Sequence, residues 1–172
     1  AVYDNKEKFN LNAEQLFILE NQYLGLVRGG ANLPTDKKDQ LKAINQKLSS
    51  LGVQFDQNLL TETNAFQLII ENEADLAGLP ESVRAAGAAD AKAAGLEGKW
   101  VFTTQRSSMY PFITYAEKRE LREQLYAAYT HRGDNNNEND NKDIVGEIIS
   151  LRVDRAQLLG YKTHAHLTLE PR

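Results

Sequence analysis

The sequence predicts a mainly α segment of long antiparallel helices with one small two-stranded β element. Three observations lead there. Apolar residues recur every three to four positions through several long stretches. Those stretches are bracketed by capping side chains and stop glycines. Only two short runs, near Phe66–Ile70 and Trp100–Thr104, change to a period of two. At 172 residues the chain is about one domain long, and residues 1–172 read as a single helical segment.

The first helix is "NLNAEQLFILENQYLGLVRGG". Asn12 is its N-cap, Gln15 completes a capping box, and Leu11 is placed to staple onto Leu16. Leu16, Leu19, Tyr23 and Leu26 share a face, and Gly29 with Gly30 stops the helix. As a nucleic-acid box, a single "RGG" in an acidic chain carries little weight beside that stop. The second helix is the longest, from Asp36 to about Thr63, with Thr35 as cap. Leu41, Leu48 and Phe55 repeat every seven residues with Ile44, Leu51 and Leu59 beside them. A strip this short fits a helix packed in a bundle better than a coiled-coil dimer.

"AFQLIIEN" then alternates as a strand expected to be buried mostly on both faces. The Ala-rich helix "GLPESVRAAGAADAKAAGLEGKW" follows, with Pro80 at its start and Gly95 at its stop. It supplies few large apolar groups and suits a close neighbour or open water. "WVFTT" is the second strand. Two strands alone are marginal, so the ribbon must pack on helices. In "YAEKRELREQLYAAYTHRG", Leu121, Leu125, Ala128 and Tyr129 face inward, while Glu117 and Arg119 through Glu123 form a solvated face. The next helix, "DNKDIVGEIISLRVDRAQLLGY", turns Ile144, Ile148, Leu151 and Leu158 inward and ends at Gly160. A last helix, capped by Thr163, has barely begun where the chain ends at Arg172.

Composition narrows the function classes. Net charge is −4 and the pI about 5.4, which gives no electrostatic footprint for nucleic acid and no attraction to an anionic membrane. No apolar run reaches the length of a membrane span. The absence of cysteine excludes disulfides and thiolate metal sites. The chain opens on "AVYDNKEK" without an initiator Met, as a mature product or a piece of something longer would.

One stretch, "RGDNNNENDNKD" from Arg132 to Asp143, offers three readings: an integrin-type RGD, a calcium loop, or a polar connection between helices. An RGD ligand needs an exposed loop tip, whereas Arg132 and Gly133 belong to a helix end. The calcium register places Asn136, Glu138, Asp140 and Glu147 at ligand positions. It fails at the first position, which is Asn, and at the sixth, where Asn141 stands in place of Gly. The connection fits best, with Gly133 as stop and Asp140 or Asn141, the latter favoured, as the next cap. Arg132 and Asp134 are then expected to matter little for stability.

The histidines are His131, His164 and His166, and none stands in H-E-x-x-H. On a helix His164 and His166 point to nearly opposite sides, so they make no His-x-His metal site. There is no phosphate loop, dinucleotide glycine pattern or nucleophile elbow. No catalytic, cofactor-binding or metal-ligating residue is assigned in this sequence.

Four blocks carry a resemblance: "VRGGANLPTDKKDQLKAINQKLSSLGVQFDQNLLTETNAF", "ADLAGLPES", "YAEKRELREQLYAAYTHRG" and "DNKDIVGEIISLRVDRAQLLGYKTHAHLTLE". In this order, and across nearly all of Ala1 to Arg172, the chain resembles the N-terminal helical region of the thimet oligopeptidase and peptidyl-dipeptidase family of zinc metallopeptidases. The likeness is strongest to the bacterial peptidyl-dipeptidase branch. It implies part of a larger two-lobed helical peptidase, with a deep channel that admits short peptides and excludes folded proteins. It also implies a zinc ion held by H-E-x-x-H and a downstream Glu in a C-terminal catalytic part. None of those residues occurs here, so this segment is expected to be inactive and to hold no zinc. Its expected partners are short peptide substrates, the catalytic part, and a second copy of itself through uncovered apolar surface. The expected compartment is the cytoplasm, with the periplasm as the alternative. A free-standing helical interaction module, using the heptad face of the long helix, is the rival reading.

Overall fold

A computed structural model describes residues 2–170. The helices are α1 (Ala13–Arg28), α2 (Thr35–Ala65), α3 (Glu81–Ala93), α4 (Arg106–Tyr115), α5 (Arg119–Thr130), α6 (Lys142–Leu158) and α7 (His164–Leu169). Two short strands, β1 (Leu68–Ile70) and β2 (Trp100–Phe102), form an antiparallel pair with Ile69 opposite Val101. The mainly α architecture with a small two-stranded sheet is as the periodicities predict. The residues fall into two compact units, one up to Leu51 and from Val145 onward, the other spanning 52–144.

In the first unit, Asn12 accepts a hydrogen bond from the Gln15 N–H at 2.9 Å and the Gln15 side chain accepts one from the Asn12 N–H at 3.1 Å. The expected capping box is therefore present. The half-buried face of α1 runs on to Val27 instead of Leu26, which is 63% exposed. Four residues beyond Tyr23 stays closer to the axis of the stripe than three. A 3-10 turn, Tyr3–Phe9, precedes α1 and stacks Tyr3 on Tyr23 with centroids 3.6 Å apart. Leu41, Leu51, Ala156 and Leu167 are the buried apolar residues here. The expected continuation of α7 to Arg172 lies outside the described residues.

The second unit holds the larger core: Leu68, Ile70, Leu76, Leu79, Phe102, Met109, Phe112, Ala116 and Leu125. Phe102 and Phe112 meet with centroids 4.5 Å apart. The Ala-rich α3 packs closely on β2: a Cβ on Gly87 would stand 2.8 Å from the Phe102 ring, so only glycine lets that ring in. Two expectations are corrected and one helix, α4, is new. β1 is buried on one face only, because Ile69 points out and is 43% exposed. Residues 106–115, which carry no clear period and a proline, form α4. Pro111 lies inside it, and Met109 and Phe112 pin its inner face. Arg122 does not belong to the solvated face of α5. Its guanidinium donates to the carbonyls of Ala116 (2.5 Å) and Glu117 (2.9 Å), capping the C-terminal end of α4.

Candidate functional site

The notable polar feature of the unit spanning 52–144 is built around one carboxylate. The periodicity of α2 places Glu62 on the same face as Leu51, Phe55 and Leu59, and it is 8% exposed. A buried charge needs partners, and Glu62 finds them in the 133–141 loop. The Gly133 N–H donates to Oε2 at 2.5 Å, the Asn135 amide to Oε2 at 2.9 Å, and the Asn137 amide to Oε1 at 2.8 Å. Burial pushes this carboxyl's pKa up. The Gly133 N–H and the two asparagine amides outweigh it, and the net displacement is downward. Glu62 is thus an ionised acceptor with both oxygens occupied, which suits holding a loop and not moving a proton.

The rest of the loop follows from that anchor. Gly133 has φ +74°, and a Cβ there would stand 2.8 Å from the Asn141 amide nitrogen. Asn136 is also left-handed, at φ 52°. The cap of α6 differs from expectation. The Asp140 carboxylate accepts from the Lys142 N–H at 2.9 Å and from the Asn136 N–H at 2.8 Å. Asn141 is buried and faces α2 instead, donating to the Phe55 carbonyl at 3.2 Å and accepting from Asn58 at 2.9 Å. Lys142 hydrogen-bonds to Asp140 foremost among the groups that lower the Asp140 pKa. Arg132, expected to matter little, donates to the Tyr129 carbonyl (2.9 Å) and to Thr63 Oγ1 (2.9 Å) and lies over the Tyr129 ring at 4.0 Å.

This geometry decides the readings of the loop. The arginine and glycine of "RGD" are turned into the structure, and Asp134 pairs with Lys142 at 2.6 Å. Of the calcium register, Asp140 is paired with Lys142 at 2.5 Å and Glu147 with Lys47 at 3.2 Å. Among the described residues no group of three or more potential ligands could hold a metal ion. His166 Nδ1 meets the Thr163 hydroxyl at 2.7 Å, whereas His164 Nδ1 is buried without a partner. Burial first, then Arg152 and Arg155, lowers the His164 pKa. These histidines do not fit a zinc site.

Beside the loop lies a groove of about 860 Å³, open to solvent. Its walls are the end of α2 (Thr61, Glu62, Ala65), the start of β1 and the residues before it (Phe66, Gln67, Leu68), one face of α5 with the residue that ends it (Gln124, Ala127, Ala128, His131) and the loop from Asn135 to Asn139. Sequence reasoning missed it. The one legible signal was a glutamate on the apolar face of an otherwise well-patterned helix.

Comparison with known proteins yields a consistent set. Residues 112–172 match the model of peptidase family M3. The chain is 38% identical, over 98% of its length, to oligopeptidase A of Haemophilus influenzae. It is 35% identical over 96% of its length to oligopeptidase A of Escherichia coli, and 30% identical over 96% to the dipeptidyl carboxypeptidase of the same organism. It covers 25%, 25% and 24% of those proteins respectively, so it spans about a quarter of the length of the curated relatives it matches.

Proposed function

We propose that this chain belongs to peptidase family M3 and is the non-catalytic helical part of a zinc-dependent oligopeptidase or peptidyl-dipeptidase. In this reading it lines or covers the channel through which short peptides reach a zinc centre carried elsewhere in the parent protein. The observation that supports it is the alignment with peptidases along almost the whole chain. The metal and its H-E-x-x-H ligands would be carried by the catalytic part of the parent. That part and short peptides are the partners. The cytoplasm is the proposed compartment.

The test compares the parent protein with the 172-residue chain on an internally quenched peptide of about ten residues and on a folded protein. The parent should cleave the peptide, lose that activity to a zinc chelator, and leave the folded protein intact. The segment alone should cleave neither. Turnover by the segment, or a parent reading frame without H-E-x-x-H, overturns the proposal. A frame that stops at Arg172 favours the interaction module.

A further inference from the structure

The groove beside Glu62 has main chain along one wall. Among the described residues, β1 pairs with β2 on one side only, and the two make up the sheet. The Thr103 N–H donates to Ser108 Oγ at 3.0 Å and not across the ribbon. Leu68–Phe102 and Ile70–Trp100 are therefore the pairs that exchange main-chain hydrogen bonds. Alternation along an antiparallel ladder then turns the N–H and C=O of Gln67 and Ile69 toward the unpaired edge. Such an edge is a template for another extended chain, and Gln67 opens into the groove.

The side chains around that edge set the chemistry of the occupant. Gln67, Gln124 and Asn139 line the groove with amides, each offering a donor and an acceptor, beside Asn135 and Asn137, whose amides already donate to Glu62. This matches a peptide main chain, and Ala65, Phe66, Ala127 and Ala128 beside the amides leave apolar surface for its side chains. The charges of Glu62 and Arg132 are already bound to protein groups. Glu138 is exposed at the rim. With Glu62 and Glu138 against Arg132 the lining carries a net negative charge, which disfavours nucleic acid and acidic peptides.

We propose that an extended peptide, neutral or basic, adds as a third strand to the free edge of β1 and lies in the groove between α5 and the 135–139 loop. Its main chain bonds to Gln67 and to the amides of Gln124 and Asn139. The groove's volume suits a few residues of such a chain. The proposal rests on the peptidase reading for the source of the peptide, a substrate segment remote from the scissile bond, and on the groove alone for its chemistry.

The test uses the 172-residue chain, ¹⁵N-labelled, and two capped pentapeptides, Ala-Ala-Lys-Ala-Ala and Ala-Ala-Glu-Ala-Ala. A few main-chain hydrogen bonds in water give weak affinity, about millimolar. The lysine peptide should shift the amide resonances of residues 65–69, 124–131 and 135–139, and the glutamate peptide should bind about tenfold more weakly. Gln124→Trp, at an exposed position on the groove wall, should leave the spectrum otherwise folded and abolish the shifts. Absence of shifts at several millimolar overturns the proposal, as do shifts elsewhere or shifts indifferent to Gln124→Trp. In the parent, the same variant should raise KM for a ten-residue peptide about tenfold with little change in kcat. A parent that cleaves peptides with unchanged KM in this variant sinks the groove and leaves the peptidase reading standing. A parent that cleaves none, beside a segment that still binds, does the reverse.

Discussion

Replacing Glu62 by Gln probes the whole loop with one atom exchanged. The carboxylate receives three N–H donors, from Gly133, Asn135 and Asn137, and no cation. A hydrogen bond to a charged group contributes about 1.5–3 kcal/mol and a neutral one about 0.5–1.5, so each bond that survives loses about 1 kcal/mol. With the amide oxygen at the Oε2 position, the new NH₂ faces the Asn137 amide donor. Asn137 cannot turn its own amide round without losing the bond that its Oδ1 accepts from the Asn139 N–H at 2.9 Å. Against these losses, a neutral amide is cheaper to bury than an ion. The net expectation is a loss of about 2–3 kcal/mol, or roughly 5–10 °C in Tm for a chain of this size. Hydrogen exchange should show the loss concentrated in residues 133–141. pH supplies an independent check. Because the folded pKa lies below the ordinary value of 4.5, the ionic contribution is fully present above that value and fades as pH falls through the folded pKa. The gap between wild type and Glu62→Gln should therefore be constant near neutrality and shrink below about pH 4.5. A gap under about 0.5 kcal/mol, or one that widens in acid, would refute the reasoning.

Further outcomes follow from the same geometry. Gly133→Ala forces a side chain into a left-handed conformation 2.8 Å from the Asn141 amide and should cost at least about 1–2 kcal/mol in chemical denaturation. Asp140→Ala removes the group that accepts the first N–H of α6 and should cost about 1 kcal/mol. Asn141→Ala empties a buried position bonded to Phe55 and Asn58 and should cost more than Asp140→Ala; the reverse order would reinstate Asn141 as the cap. The 172-residue chain should self-associate at high concentration. Val145, Ile149 and Val153 make an exposed stripe on α6, and Phe17, Ile18 and Leu24 are exposed on α1. A strictly monomeric light-scattering profile would count against this.

Helices with a strong period and marked ends were legible in the sequence. Asn12, Gln15, Gly95, Gly133 and Thr163 all act at their predicted helix ends, because caps and stops are decided by bonds within a few residues. Two kinds of feature were not legible. One is structure held by tertiary contact against local preference: α4 keeps Pro111 because Met109 and Phe112 are buried on one side of it. The other is polar partnership across long separations. Glu62 lies more than seventy residues from the groups it binds, so nothing adjacent to it announced its role. Arg122 and Arg132 look like ordinary surface charges until the carbonyls they cap are seen. The groove belongs to this second class, since its walls come from two stretches, 61–68 and 124–139, far apart in the chain.

A carboxylate paired only by neutral donors has a consequence for how that groove is shaped. A salt bridge would hold two side chains and leave the backbone between them free. Glu62 instead takes one backbone N–H and two side-chain amides from positions 133, 135 and 137, so it fixes the path of the loop residue by residue. An ionised carboxylate only accepts, and three convergent donors leave it one arrangement. The same loop then delivers Asp140 to the start of α6 and Asn141 back to α2. The groove wall from Asn135 to Asn139 therefore shares its register with a helix end, and a perturbation at Glu62 should move both together. Loss of loop protection in Glu62→Gln without any loss in the first turn of α6 would show that the two are held separately.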